Sequence, residues 1–217
     1  YQNVGEVRNR GWEWSANYQD HRGDWGWYAG FNVTHVNNEI LYMGGLEERI
    51  SGSTINRVGD PINSYYAYKA IGIYRTEADL NRTNSKGEKI KQNGQEPKLG
   101  DIMYQDTNDD GNITPDDRVI IGNPFPKYSF GFNIGGSWKN FDLSTLWQGV
   151  TGIYRYNWES TSDLQGNRTD RWLDRWSESN PNGSMPRLGY NFNDQYSSFW
   201  LSKADYLRLK NLEFGYT

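Results

Sequence analysis

The stretch "DTNDDGNITPDD", residues 106–117, sets oxygen-bearing side chains on alternate positions, then a glycine, an isoleucine and a closing acid. In an EF-hand loop, side chains at positions 1, 3 and 5 bind calcium and position 6 is a turn glycine. Position 7 gives a backbone carbonyl, and an acid closes the shell at position 12. Those positions here are Asp106, Asn108, Asp110, Gly111, Asn112 and Asp117, with Ile113 as the apolar anchor at position 8. Hard oxygen ligands suit a cation that wants six to eight oxygens, so calcium fits better than zinc. Two features pull the other way. The closing acid is Asp, one methylene shorter than the usual Glu, and "KLGDIMYQ" ahead of the loop reads as a turn and a short strand, not a helix. The competing reading is an Asx-rich turn whose carboxylates bond backbone amides. A calcium ion here would be structural, bracing the loop, and in calcium-rich surroundings an affinity of roughly 10⁻⁴–10⁻³ M keeps such a site filled.

Four tryptophans are the other candidates for contact with a ligand or partner: Trp158, Trp172, Trp176 and Trp200. Exposed, they would stack on sugar faces or meet a partner protein; buried, they would pack a loop on itself. In "RTDRWLDRWSE", Trp172 and Trp176 stand four apart, so one helical turn would present both on one face. Catalysis finds less support. The chain has no cysteine and only two histidines, His21 and His35. Neither a G-x-S-x-G elbow nor a phosphate-binding glycine loop occurs. Acids such as Glu13, Glu39, Glu159 and Asp205 stand in no distinctive motif. The chain reads as no enzyme. With a net charge of -4 and a pI near 5.3, it presents no basic face for nucleic acid.

These residues must be positioned by β-structure. In 217 residues there are 10 Trp, 16 Tyr, 8 Phe and 24 Gly. Mean hydropathy is -0.93, and no apolar run is long enough for a membrane helix. In "YSFGFNIGGSW", Tyr128, Phe130, Phe132, Ile134 and Trp138 alternate with small polar residues, and "FDLSTLWQG" repeats the pattern after Lys139-Asn140. Period two with one large apolar face is a half-buried strand, and two such runs joined by two residues form a hairpin. Trp12, Trp14, Ala16 and Tyr18, then Trp25 to Val33 after "QDHRGD", make another. "DYLRLKNLEFGYT" reads as a further alternating run. Strands are expected near 7–18, 25–41, 128–138, 141–150 and 206–217, so connections alternate short and long. Brief turns at one end and large loops at the other are the asymmetry of a transmembrane barrel. Tyr18, Trp25, Trp138 and Phe141 flank the short turns, as an interfacial aromatic girdle does. The expected fold is all-β, an antiparallel transmembrane β-barrel fragment with two long extracellular loops. Its parts are a barrel hairpin (1–41), a loop containing the metal motif (42–127), a second hairpin (128–150), a second loop (151–205) and a truncated strand (206–217). Five strands cannot close a barrel, so a larger wall is expected. Within the first loop, "NSKGEKIKQNGQEPKLG" reads as a mobile tip.

Residues 100–152, "GDIMYQDTNDDGNITPDDRVIIGNPFPKYSFGFNIGGSWKNFDLSTLWQGVTG", closely resemble outer-membrane transporters of the SusC/RagA type, a TonB-dependent family. "NVGEVRNRGWEW" and "FWLSKADYLRLKNLEFGYT" carry the same resemblance, and "RWLDRWSESNPNGSMPRL" resembles the loop before the family's late strands. The resemblance implies a late part of a large plugged C-terminal barrel in the outer membrane of a Gram-negative bacterium. It further implies import of glycans or peptides, delivered by a SusD-like lipoprotein and powered through the TonB complex. On this expectation the plug and TonB box lie outside the chain. A soluble, calcium-stabilised carbohydrate-binding β-sandwich is the alternative. The two differ in where the large alternate residues point: toward lipid, or into a dry space between sheets.

Overall fold

The computed structural model describes residues 5–157, 159, 161 and 167–217. β1 (Glu6–Arg22) and β2 (Trp25–Tyr42) form the first hairpin. The first long excursion carries β3 (Glu48–Ser51), β4 (Thr54–Arg57), β5 (Ser64–Tyr68), β6 (Ala70–Ile73) and a helical turn α1 (Glu77–Leu80). It continues through β7 (Lys91–Gln92), β8 (Ile102–Tyr104), β9 (Asn112–Ile113) and β10 (Arg118–Gly122). β11 (Tyr128–Trp138) and β12 (Phe141–Thr151) form the second hairpin. The second excursion adds β13 (Tyr154–Tyr156) and β14 (Leu201–Lys203) before β15 (Tyr206–Tyr216). β1 runs past Tyr18 to Arg22, so most of the expected turn "QDHRGD" is strand. Its residues are polar on both faces and gave no apolar alternation to read. The actual turns are two residues long. Gly23 and Lys139 open them at φ +62° and +54°, the left-handed twist that tight hairpin turns require.

The five long strands form one antiparallel sheet in the order β1-β2-β11-β12-β15. Residues opposite one another share a face, so the register sorts the wall into two surfaces. On one face Arg22, Trp25, Trp138, Phe141 and Tyr216 form a row. Further along lie Ala16, Phe31, Phe132, Trp147 and Leu209, then Trp12, His35, Tyr128 and Thr151. On the other face the rows are Asn17, Gly30, Asn133, Leu146, Asn211 and Ser15, Asn32, Gly131, Gln148, Arg208. One surface is aromatic and aliphatic; the other is mostly amide, hydroxyl and glycine. The apolar surface is not covered by a second sheet: Trp12 is 50%, Trp14 54% and Ile134 52% exposed. Phe132 is only half-buried, stacked on Trp147 of the same sheet at 5.6 Å. The sandwich alternative fails on this point.

The spacing of the aromatic rows agrees with a bilayer. From residue 25 to residue 35 there are ten steps, which at about 3.3 Å each and a tilt near 40° rise about 25 Å, the height of an outer-membrane apolar band. β15 departs from the expected alternation. Its register against β12 shifts between Leu146 and Trp147, leaving Lys210 as an extra residue. The bulge moves the apolar set from Leu207 and Leu209 to Leu212, Phe214 and Tyr216, so all five stay on the apolar face. β1 and β15 are open edges, as suits an arc of a wider barrel and not a closed one.

Both excursions leave from the end opposite the tight turns and fold together. Their shared core contains Tyr68, Ile90, Ile102, Tyr104 and Ile113 from the first, and Trp172, Met185 and Trp200 from the second. The wall has two wetted or lipid-facing surfaces, so the dry core of this chain lies in its loops.

Candidate functional site

The 106–117 loop is bounded by β8 before it and by a 3₁₀ turn, Pro115–Asp117, at its end. It is EF-hand-like in spacing without the flanking helices. One carboxylate oxygen each from Asp106, Asp110 and Asp117 lie within 4.8 Å of one another. Oxygens on opposite sides of one calcium ion, each at about 2.3–2.6 Å, sit about 4.6–5.2 Å apart, so these three are close enough to share an ion. Backbone amides organise the same side chains. Asp106 accepts from Asp109 N (2.8 Å) and Gly111 N (2.9 Å), Asn108 from Asp110 N (3.1 Å), and Asp110 from Asn112 N (2.8 Å). These are the bonds of an Asx-rich turn. Asp117 is fully buried and accepts from Thr107 N (2.7 Å) and Thr114 N (2.8 Å), closing the loop on itself. Asn112 points its side chain outward, accepting from Gly94 N (2.7 Å), which leaves its backbone carbonyl as what position 7 offers. Ile113, at position 8, is fully buried in the shared core. Asp109 turns away, taking Ser85 N and Oγ on its carboxylate; those bonds hold it below the usual carboxylate range.

The segment expected as a mobile tip is instead the loop's support. Ile90 and Gln92 are buried. β7 pairs in parallel with β9, and Gln92 donates to Ile102 O (2.7 Å). Polar composition concealed this, because two-residue strands carry no periodicity.

Of the four tryptophans, Trp158 lies outside the described residues. Trp172 and Trp200 are 4% and 1% exposed and pack at 6.2 Å in the shared core. Both are core residues of the joined excursions, where the sequence had offered them as contact candidates. Trp176 is half-buried, its ring pressed against Gly100. The helical turn expected to present Trp172 and Trp176 together is a 3₁₀ turn, Asp170–Asp174, that ends before Trp176. Glu159 accepts from Trp172 Nε1 and Thr169 Oγ1 and faces Arg171. Glu39 pairs with Arg8, and Asp205 accepts from Ile153 N. These acids serve the fold.

The sequence did not reveal the clasp between the excursions. Asp101, fully buried, takes Arg187 Nε at 2.6 Å and Asn193 Nδ2 at 3.3 Å. Asn193 Oδ1 accepts from Ile102 N (2.8 Å), and Tyr104 donates to Phe192 O (3.0 Å). Arg75 reaches Pro181 O and Gly183 O. Burial raises the Asp101 pKa above the ordinary carboxylate value, against the opposing pull of the Arg187 guanidinium. Eighty or more residues separate these partners, so no local motif could announce them.

Wall, faces and loops together define the class: an arc of an antiparallel transmembrane β-barrel carrying two long loops at one end. No family model matches the chain. Comparison with characterised proteins places it more narrowly. It is 29% identical over 230 residues to TonB-dependent receptor P26 of Formosa agariphila, covering 99% of this chain and 22% of that protein. It is 25% identical over 232 residues to TonB-dependent receptor SusC of Bacteroides thetaiotaomicron, covering 100% and 21%. The solved RagAB peptide transporter superposes with a TM-score of 0.78 at 26% identity, over 100% of this chain and 23% of the solved one. A closed-closed state of the RagAB peptide importer gives 0.73 at 28% identity, with the same coverage. In sequence and in fold, along its whole length, the chain is SusC/RagA-like. It spans less than a quarter of the length of these relatives.

Proposed function

We propose that this chain supplies barrel wall and outer loops to a TonB-dependent importer in the outer membrane of a Gram-negative bacterium. The solute is an oligosaccharide or a peptide, handed over by a SusD-like lipoprotein at the outer face. The observation that carries the reading is the two-sided wall. Aromatic rows on one face match the two borders of a bilayer, and a hydrophilic face rich in Asn, Gln and Ser is suited to a wet lumen. Both excursions rise from the same end, where a delivery partner would dock. The wall acts by enclosing the path; coupling to the TonB complex belongs to other parts of the protein.

In this reading calcium is structural. Asp106, Asn108, Asp110 and Asp117 would hold it through side chains and Asn112 through its carbonyl, a donor set of hard oxygens with three converging carboxylates. Bound calcium would offset two of the three carboxylate charges. Through β9 and β7 the loop then stiffens the shared core. The experiment is uptake of labelled oligosaccharides and peptides by the parent bacterium, with the gene disrupted, with TonB deleted, and with the neighbouring lipoprotein removed. Loss of uptake in all three strains is expected. Undiminished uptake without TonB would refute the reading.

A further inference from the structure

The apolar surface of the wall is not smooth. A slot opens in it beside the aromatic row at the tight-turn end, and it arises at Gly136. In the register Gly136 stands between Trp27 and Leu143, with Phe214 beyond Leu143, while Trp138 lies two residues nearer the turn on the same face. Those neighbours carry large side chains and Gly136 carries none. The nearest side-chain atom to a Cβ built there is Trp27 Cβ, at 3.7 Å. The gap so left has a volume of about 330 Å³ and an almost wholly apolar lining, at the small end of ligand sites. Ser137 and Asp142, which border it in sequence, stand opposite each other on the hydrophilic face.

Depth and charge select what fills it. With about 3.3 Å per step and a tilt near 40°, Gly136 lies about 5 Å inside the Trp138 row. The bilayer offers hydrocarbon and no water at that level, and an empty slot forfeits contacts that a lipid chain restores. The polar end of the same lipid then stands at the turn. Lys139, in that turn, holds its Nζ 5.2 Å from the centre of the lipid-facing Trp138 ring. Among the described residues this ammonium has no acidic partner. Asp24, across the turn, contributes its backbone carbonyl to Lys139 N (3.1 Å), and Asp20 is taken by Arg22 at 2.9 Å. A surface cation without a counter-charge attracts a net-negative headgroup; a zwitterion brings an ammonium of its own.

We propose that the slot at Gly136 and the ammonium of Lys139 together bind one anionic phospholipid of the periplasmic leaflet. Its acyl chain lies among Trp27, Trp138, Leu143 and Phe214, and its phosphate meets Lys139. Neither part is selective by itself, since the slot takes any hydrocarbon and a single lysine any anion. Side by side they require a chain and a negative headgroup on one molecule. The inference rests on the membrane wall and is independent of what is transported.

The test is native mass spectrometry of the full-length protein released from detergent, titrated with dioleoyl phosphatidylglycerol and, separately, with dioleoyl phosphatidylethanolamine. Wild type should hold its tightest phosphatidylglycerol about fivefold more strongly than phosphatidylethanolamine, the effect of one lysine at a membrane surface. Lys139→Asn removes the charge and keeps a residue that tolerates the φ of +54° found there; it should abolish the preference. Leu143→Trp fills the slot and should weaken phosphatidylglycerol about fivefold or more, with the unfolding midpoint unchanged. Phe214→Ala, which removes the far wall, should weaken it too and serves if Leu143→Trp shifts that midpoint. Three results overturn the proposal: no preference for phosphatidylglycerol, a preference that survives Lys139→Asn, or binding unchanged by both slot variants. Comparison of Phe132→Arg with Asn133→Arg in lipid vesicles judges the membrane wall separately, so failure here with the wall upheld falls on the lipid site alone.

Discussion

Adjacent residues 132 and 133 give the sharpest test of which face meets lipid. Phe132 lies in the row Ala16-Phe31-Phe132-Trp147-Leu209, while Asn133 lies in Asn17-Gly30-Asn133-Leu146-Asn211 on the other side. Six steps separate Phe132 from Trp138 and four from Tyr128. With about 3.3 Å per step and a tilt near 40°, Phe132 sits about 15 Å from one aromatic row and about 10 Å from the other, near the middle of the apolar band. Arginine at such depth costs about 2–4 kcal/mol. Arginine at 133 projects into the lumen and should stay within about 0.5 kcal/mol of wild type, as ordinary surface changes do. The expected gap of about 2 kcal/mol or more is roughly a thirtyfold change in the folding equilibrium. The assay is urea unfolding of the full-length protein in lipid vesicles, followed by tryptophan fluorescence, for Phe132→Arg and Asn133→Arg in parallel. Equal destabilisation, or a larger loss at 133, would refute the face assignment and with it the membrane wall.

Three further outcomes are expected. Chelation of calcium should lower the unfolding midpoint of the wild-type loop body, and Asp110→Asn should abolish that sensitivity; an indifferent wild type would leave the 106–117 loop an Asx-rich turn. Gly100 sits at φ +87°, and a Cβ there would lie 2.6 Å from Trp176 Cδ2 and 2.9 Å from Arg187 Cβ. Gly100→Ala should therefore cost about 1–3 kcal/mol from backbone conformation alone, seen as faster proteolysis of the loops. Asp101 has a raised folded pKa, so the folded state holds its proton more tightly than the unfolded one. Its contribution is complete below the unfolded value of about 3.9 and declines as pH rises through the higher folded value. Asp101→Asn lacks this slope and should gain on wild type as pH rises through that window; a constant difference in midpoint would contradict the assignment.

The wall was legible because its signal is local. A face that alternates every residue writes itself into period two, and Trp25, Trp138 and Phe141 mark its border wherever a tight turn follows. The convergence of Asp106, Asp110 and Asp117 was legible for the same reason, since these candidate ligands fall within twelve consecutive positions. β15 shows the limit: the bulge at Lys210 interrupts an alternation that looked regular, because a one-residue slip is decided by pairing with β12. Exposure of the tryptophans was equally out of reach. Trp172 and Trp200 look the same in sequence whether they meet solvent or Met185, and the fold of both excursions against each other settles which.

From the sequence alone came the five long strands, their two faces, the two-residue turn at Lys139-Asn140, the spacing of the candidate metal ligands and the kind of protein these imply. Tertiary structure decided how the excursions join, through Asp101, Arg187 and Asn193. The physical reason is range. Alternation and ligand spacing act between neighbours along the chain, whereas burial, ion pairing and clefts depend on groups that folding brings together from positions about ninety residues apart.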